Sequence, residues 1–240
     1  MDVPSAPMMG PSAHPRSVRI TPGELDTSSV TTRRLLPTSA QSEWRPFHRV
    51  AESIANRARQ LPTHAHEREE VLTYVTEGFA TYQLDSGAAE SLRLGSGRLL
   101  TTSGRATHRI SPAEGGAIRW FNLVVGLPPT SSGAPRLQRL EPETPAVEED
   151  TVLVRSLVGP KAPMTSLAGL ECEELRFRTD STTFRKVGPV RRAVFYAVSG
   201  RGSLDQKAIE AGEVAFVEGM PGVAVRGEAG FCGILATAPK

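Results

Sequence analysis

The stretch LPTHAHEREEVLTYVTEG, residues 61–78, decides how the rest of the chain is read. A polar half with His64, His66, Glu67, Glu69 and Glu70 passes into an apolar half, VLTYV, and stops at Gly78. Side chains of a strand alternate between two faces, so residues i, i+2, i+4 and i+6 share one side. Read as a strand, this stretch puts His64, His66 and Glu70 on a single face. Two imidazoles about 6–7 Å apart along a strand can converge on one ion, and a third donor must come from another strand. His108, in TTSGRATHRISP (101–112), follows a Gly-rich turn and is the candidate for that place. Three neutral imidazoles suit Fe, Ni, Cu, Zn or Co better than Mg or Ca, and Glu70 would add an oxygen. The competing reading is a solvated strand end, since Glu67, Glu69 and Glu70 form an acidic cluster.

Working outward, the pattern is short strands broken by turns. Glycine (22) and proline (19) are plentiful, helical periodicity is scarce, and the strand from Val71 turns at Asp85-Ser86-Gly87. SLRLGSGRLLTTSG and AIRWFNLVVGL read as further strands. Turn signals every 8–12 residues predict an all-β barrel or sandwich. FHRVAESIANRARQL (47–61) is the exception and could form a helical turn. A theme recurs: VLTYVTEG (71–78) is matched by AVFYAVSG (193–200), each with a tyrosine four residues before a glycine. This predicts a duplicated β-domain. The Pro- and Glu-dense PRLQRLEPETPAVEED (135–150) reads as the connection between copies. The expected organisation is a mobile tail over 1–28, an N-terminal lobe over 29–140 and a C-terminal lobe over 141–240. His14, beside Pro15 in the tail, is read as a bystander.

Charge excludes little: 28 basic against 26 acidic side chains leave a formal +2, which gives no argument for nucleic acid or membrane binding. The pairs Arg33-Arg34 and Arg191-Arg192 read as solvated surface. Cys172 and Cys232 lie in apolar runs, LECEELRF and GFCGILA, far from any histidine, and are expected to be buried thiols. The N-terminus lacks a basic start followed by an apolar core, so it does not read as a secretory signal. No apolar run approaches the ~18 residues of a membrane span. A cytoplasmic protein, monomeric and without nucleic-acid contacts, is the expectation.

These residues carry a resemblance. HAHEREEVLTY (64–74), preceded by RPFHRVAE (45–52) and followed by TTSGRATHRIS (101–111) and WFNL (120–123), resembles the two-lobed cupins of the pirin family. The likeness runs from about residue 30 to the end, with its specific motifs in the first lobe. It implies an all-β bicupin of two β-barrel (double-stranded β-helix) lobes with one metal in the N-terminal lobe. By position the family's three ligand histidines are His64, His66 and His108. The family's ligand glutamate falls on Ile110, which cannot bind a metal. Either the site lacks a carboxylate, or Glu70, at the ligand position of the general cupin pattern, takes it over. In the second lobe, counting back from Tyr196 as from Tyr74 gives Lys186, Gly188 and Arg192 where the first lobe has His64, His66 and Glu70. No histidine follows His108, so a site of the first-lobe type is not expected there.

The resemblance implies a metal-dependent dioxygenase acting on a quercetin-like or other small aromatic substrate with dioxygen. Fe(II) is the leading metal, with Ni, Cu, Zn, Co or Mn as alternatives, and Glu70 is the fourth ligand or the base that takes a substrate hydroxyl proton. The alternative is a non-enzymatic, metal-dependent regulator that binds a protein partner. A scaffold without metal is the third reading.

Overall fold

The computed structural model describes residues 17–22, 24–26, 31–36, 43–56, 62–113 and 116–240. Along the first half the strands are β1 (Ser17–Pro22), β2 (Glu24–Asp26), β3 (Thr31–Arg34), β4 (Phe47–Asn56), β5 (His64–Leu84), β6 (Glu90–Arg93), β7 (Gly97–Pro112), β8 (Ala117–Gly126) and β9 (Arg136–Leu140). The second half adds β10 (Val147–Glu149), β11 (Val152–Val158), β12 (Glu171–Phe177), β13 (Ser181–Lys186), β14 (Arg191–Ser199), β15 (Arg201–Leu204), β16 (Lys207–Glu210), β17 (Glu213–Glu218), β18 (Gly222–Gly227) and β19 (Cys232–Pro239). No helix occurs among the described residues, and the fold is all-β.

Strands β2 to β9 share one sheet, ordered β2-β3-β4-β8-β5-β7-β9 with β6 on β5. The helical turn considered over 47–61 is instead strand β4 as far as Asn56; residues 57–61 lie outside the described ones. Its β-branched and apolar residues sit between β3 and β8, with Val50 and Ala51 fully buried. Tertiary pairing overrides a weak local helical preference there.

Strand β5 coils around this lobe. Its start pairs with the second half of β7, His64 opposite His108, and its end returns to the same half, Leu84 opposite His108 and Ala80 opposite Pro112. One strand thus flanks the second half of β7 on both edges and curls the sheet round on itself, leaving that half no free edge. The coil needs a sharp bend, and Gly78 supplies it at φ 82°. A Cβ there would lie 1.9 Å from the Ala117 carbonyl oxygen, so only glycine fits.

The C-terminal lobe has two sheets, β1-β17-β14-β19-β12-β11-β10 and β13-β18-β15-β16. Its first strand comes from the far end of the chain. Part of the stretch expected as a tail over 1–28 is strand instead: Ser17–Pro22 pairs with β17, and Val18 joins the C-terminal core. Without β1, strand β17 would expose an unpaired edge. Residues 1–16, and His14 with them, lie outside the described residues.

Three layers of core result. The lobes pack face to face through Phe47, Leu72, Tyr74, Phe121 and Leu123 on one side and Leu157, Tyr196, Phe216 and Ile234 on the other. Phe121 and Tyr196 stack across this seam, centroids 5.7 Å apart. Inside the C-terminal lobe, Phe177, Phe195 and Phe231 fill the space with mutual ring contacts at 5.5 and 6.0 Å. The N-terminal interior is built from smaller groups, among them Ala55, Val75, Ala80 and Ile110, with Tyr82 and Trp120. Of the thiols, Cys172 is buried and Cys232 half-buried, and both are free. Among the described residues, no helix is long and apolar enough to cross a membrane.

Candidate metal centre

His64 and His66 alternate at the start of β5, and His108 lies on β7 directly opposite His64. A cross-strand pair and its diagonal neighbour can all touch on one face of a sheet. The three rings do so here: centroids are 4.2 Å apart for His64–His108, 5.1 Å for His66–His108 and 5.3 Å for His64–His66. One donor nitrogen from each lies within 4.8 Å of the other two. His108 is buried, His66 half-buried and His64 exposed, so the cluster opens to solvent on the His64 side.

Hydrogen bonding prepares two of the rings. His66 donates from Nδ1 to Glu69 Oε2 at 2.7 Å, and His64 donates from Nδ1 to the Pro62 carbonyl at 3.3 Å. Each bond leaves the Nε2 lone pair of its ring free. A carboxylate or carbonyl behind a histidine is the usual support of a ligating imidazole. Nε2 of His66 and Nε2 of His108 face each other at 3.2 Å. With metal–nitrogen bonds of about 2.1 Å, that spacing suits two ligands of one ion. Burial holds the His108 ring neutral, its pKa pushed down to about 2, and the neighbouring His64 and His66 add to this. Loss of hydration also lowers His64, with His66 and Arg49 contributing. Nδ1 of His108 is buried with no partner. Three converging imidazoles fit a borderline transition metal.

The carboxylates are placed differently from the simple strand reading. Glu70 does not reach the three histidines. It is fully buried and accepts from Thr101 Oγ1 at 2.9 Å, the Leu167 amide at 2.8 Å, the Ala168 amide at 3.3 Å and the Ser166 hydroxyl. Glu69 stands beside His66 instead, and its other oxygen accepts from His48 Nδ1 at 2.9 Å. Burial alone would raise the Glu69 carboxyl, but the bonds from His48 and His66 outweigh it and hold the pKa at about 2.

The cause of the exchange is Arg68, whose φ is 56°. Between Glu67 opposite Arg105 and Glu69 opposite Thr102, β5 contributes one residue and β7 two. Such a bulge reverses the alternation beyond it. Glu69, Val71 and Val75 then face the lobe interior, while Glu70, Leu72 and Tyr74 face the other lobe. Arg68 also donates to the carbonyls of Pro128 and Pro129, which pins the start of the interlobe connection to this bend. The supporting roles of Glu69 and His48 had no sequence signal, because alternation points Glu69 away from His66.

Ile110, where the resemblance expects a carboxylate, is buried among Tyr82, Leu92 and Trp120. In the C-terminal lobe, Lys186 lies opposite Gly222, and Arg192 is paired with Glu218 at 3.1 Å.

No protein-family model matches the chain, and no curated protein matches it by sequence. Solved structures do match. GK1651 from Geobacillus kaustophilus superposes with a TM-score of 0.84 at 22% identity, over 93% of this chain and 96% of that one. The bacterial pirin YhhW from Escherichia coli, in complex with nickel(II), gives 0.79 at 13% identity over 93% and 99%. Quercetin 2,3-dioxygenase from Acinetobacter baumannii gives 0.80 at 17% identity over 92% and 79%. Likeness across nearly the whole of both chains to GK1651 and YhhW shows that this protein has the two-lobed cupin fold of the pirins.

Proposed function

We propose that this protein is a metal-dependent cupin that holds one divalent transition metal on His64, His66 and His108 and acts on a small aromatic substrate with dioxygen. The observation that carries the reading is the convergence of three imidazole nitrogens within 4.8 Å at a mouth open to solvent. The fold shared with a nickel-bound pirin and with a quercetin 2,3-dioxygenase supports it. When bound, such an ion supplies Lewis-acid and redox chemistry to a coordinated hydroxyl.

The chain's own residues do the rest. His108 is neutral at any ordinary pH, so its ring does not have to lose a proton to bind. Glu69 fixes the orientation and tautomer of His66. His64, the exposed member, marks the side from which a substrate arrives. With three protein nitrogens and no carboxylate as ligands, an ion held here would keep positions open for substrate and dioxygen. Glu70, engaged by four donors, is held away from the role of base.

The test is metal content of purified protein beside a His64→Ala/His66→Ala variant, followed by oxygen uptake with quercetin after Fe(II) reconstitution. Near-stoichiometric metal that the variant lacks, together with oxygen consumption, is expected. An absence of metal even after reconstitution would refute the reading. Metal without oxygen uptake across aromatic diols would instead favour a metal-dependent binding protein.

A further inference from the structure

The two lobes repeat one arrangement where they meet. In the N-terminal lobe Arg33 lies opposite Glu52, Glu52 opposite Phe121, and Phe121 opposite Tyr74. In the C-terminal lobe Arg155 lies opposite Glu174, Glu174 opposite Ile234, and Ile234 opposite Tyr196. Both glutamates are buried, and each tyrosine serves the other lobe's pair. Tyr74 accepts from Arg155 Nη1 at 3.3 Å, and the phenol of Tyr196 is pushed up by burial and by Glu52.

The symmetry ends at the ion pairs. Glu52 has Arg33 at 3.5 Å and Arg119 at 3.6 Å. Arg155 has no carboxylate oxygen within 4.0 Å among the described residues, because Glu174 turns to Arg176 at 3.0 Å. Yet Arg155 is only 7% exposed. Its guanidinium donates to Tyr74 and to the carbonyls of Glu141 and Pro142, all uncharged, and its Nε has no partner. Arginine cannot shed its proton, and a buried charge with no direct ion pair, its cross-strand neighbour Glu174 being turned to Arg176, is costly.

Arg155 lines a cavity of about 310 Å³ together with Leu94, Gly95, Pro142, Leu153 and Arg176. Gly95, at φ 82°, makes room for the guanidinium: a Cβ there would lie 2.7 Å from Nη1. Two arginines against Glu174 leave this wall one positive charge in excess. Leucine and proline side chains form its apolar part.

We infer that this cavity between the lobes binds a small organic monocarboxylate, whose carboxylate is the counter-ion Arg155 lacks and whose short apolar body rests on Leu94 and Leu153. The site is separate from the three histidines and does not depend on their metal.

Isothermal titration of the full-length protein with butyrate, and with butanamide as the neutral isostere, tests the proposal. Saturable butyrate binding is expected, with butanamide about 10- to 100-fold weaker, the worth of a charge-assisted hydrogen bond. Arg155→Met should abolish it. Ala146→Trp, at the exposed rim of the same cavity, should abolish it too, and decides the question if the arginine variant fails to fold. The His64→Ala/His66→Ala variant should bind butyrate as the parent does. The proposal is overturned by absent saturable binding, by equal affinity for butanamide, by full binding in Ala146→Trp, or by loss in the double-histidine variant.

Discussion

Replacing Glu70 with glutamine separates a latch between the lobes from a metal ligand. The carboxylate is fully buried and accepts from Thr101 on its own lobe and from Ser166, Leu167 and Ala168 on the other. The amide keeps the shape but removes the charge, and its NH₂ meets donors that it cannot satisfy. A hydrogen bond to a charged group is worth about 1.5–3 kcal/mol, and breaking a buried charged network typically costs about 3–5 kcal/mol. Glu70→Gln is therefore expected to lose about 3–5 kcal/mol out of a total stability of order 5–15 kcal/mol. For a chain of this length that is a fall in melting temperature of roughly 6–20 °C. Because the lost bonds join the lobes, the loss should also broaden or split the transition. The assay is thermal and urea denaturation of the metal-free protein, followed by circular dichroism, with metal affinity measured in parallel. Retained metal affinity is the expected companion result. A variant of unchanged stability that no longer binds metal would refute the reasoning and return Glu70 to the ion.

Other expectations follow from single contacts. Glu69→Gln frees the support behind His66 and should weaken metal binding about 10- to 100-fold, measured by competition with a chromogenic chelator; unchanged affinity would remove Glu69 from the site. Gly78→Ala places a Cβ 1.9 Å from the Ala117 carbonyl oxygen at φ 82°, and should cost about 2–4 kcal/mol in urea unfolding, whereas Gly104→Ala, with open space around it, should be near neutral. The Glu90 carboxyl is lowered by its hydrogen bond from Arg139 and, against burial, by Arg98. A depressed carboxyl stabilises fully above its unfolded value of 4.5 and loses that contribution as the pH falls through the folded value. The stability gap between wild type and Glu90→Gln should therefore narrow on acidification from neutral to about pH 3; a constant gap would contradict it.

Much of the candidate site is legible without coordinates, for a local reason. Two histidines one residue apart share a strand face whatever the fold, so His64 and His66 belong together as soon as LPTHAHEREEVLTYVTEG is read as β. The turn signals and the repeated tyrosine–glycine spacing point in the same local way to a duplicated all-β chain. His108 is reachable as the histidine that follows a Gly-rich turn, and the register sets it opposite His64.

What escapes the sequence depends on long-range hydrogen bonding. Arg68 adopts φ 56° because β7 holds an extra residue opposite it, and that single bulge exchanges the places of Glu69 and Glu70. Alternation by itself assigns the wrong carboxylate to the histidines. The first described strand, Ser17–Pro22, has the composition of a loose tail and becomes ordered only because β17 offers it an edge. The open pair of Arg155 and Glu174 is equally invisible, since Arg33 and Glu52 occupy the same cross-strand relation and close. Residue types and spacing determine which faces exist. The tertiary register decides which charges meet across them, because a slip of one residue turns every following side chain to the opposite side.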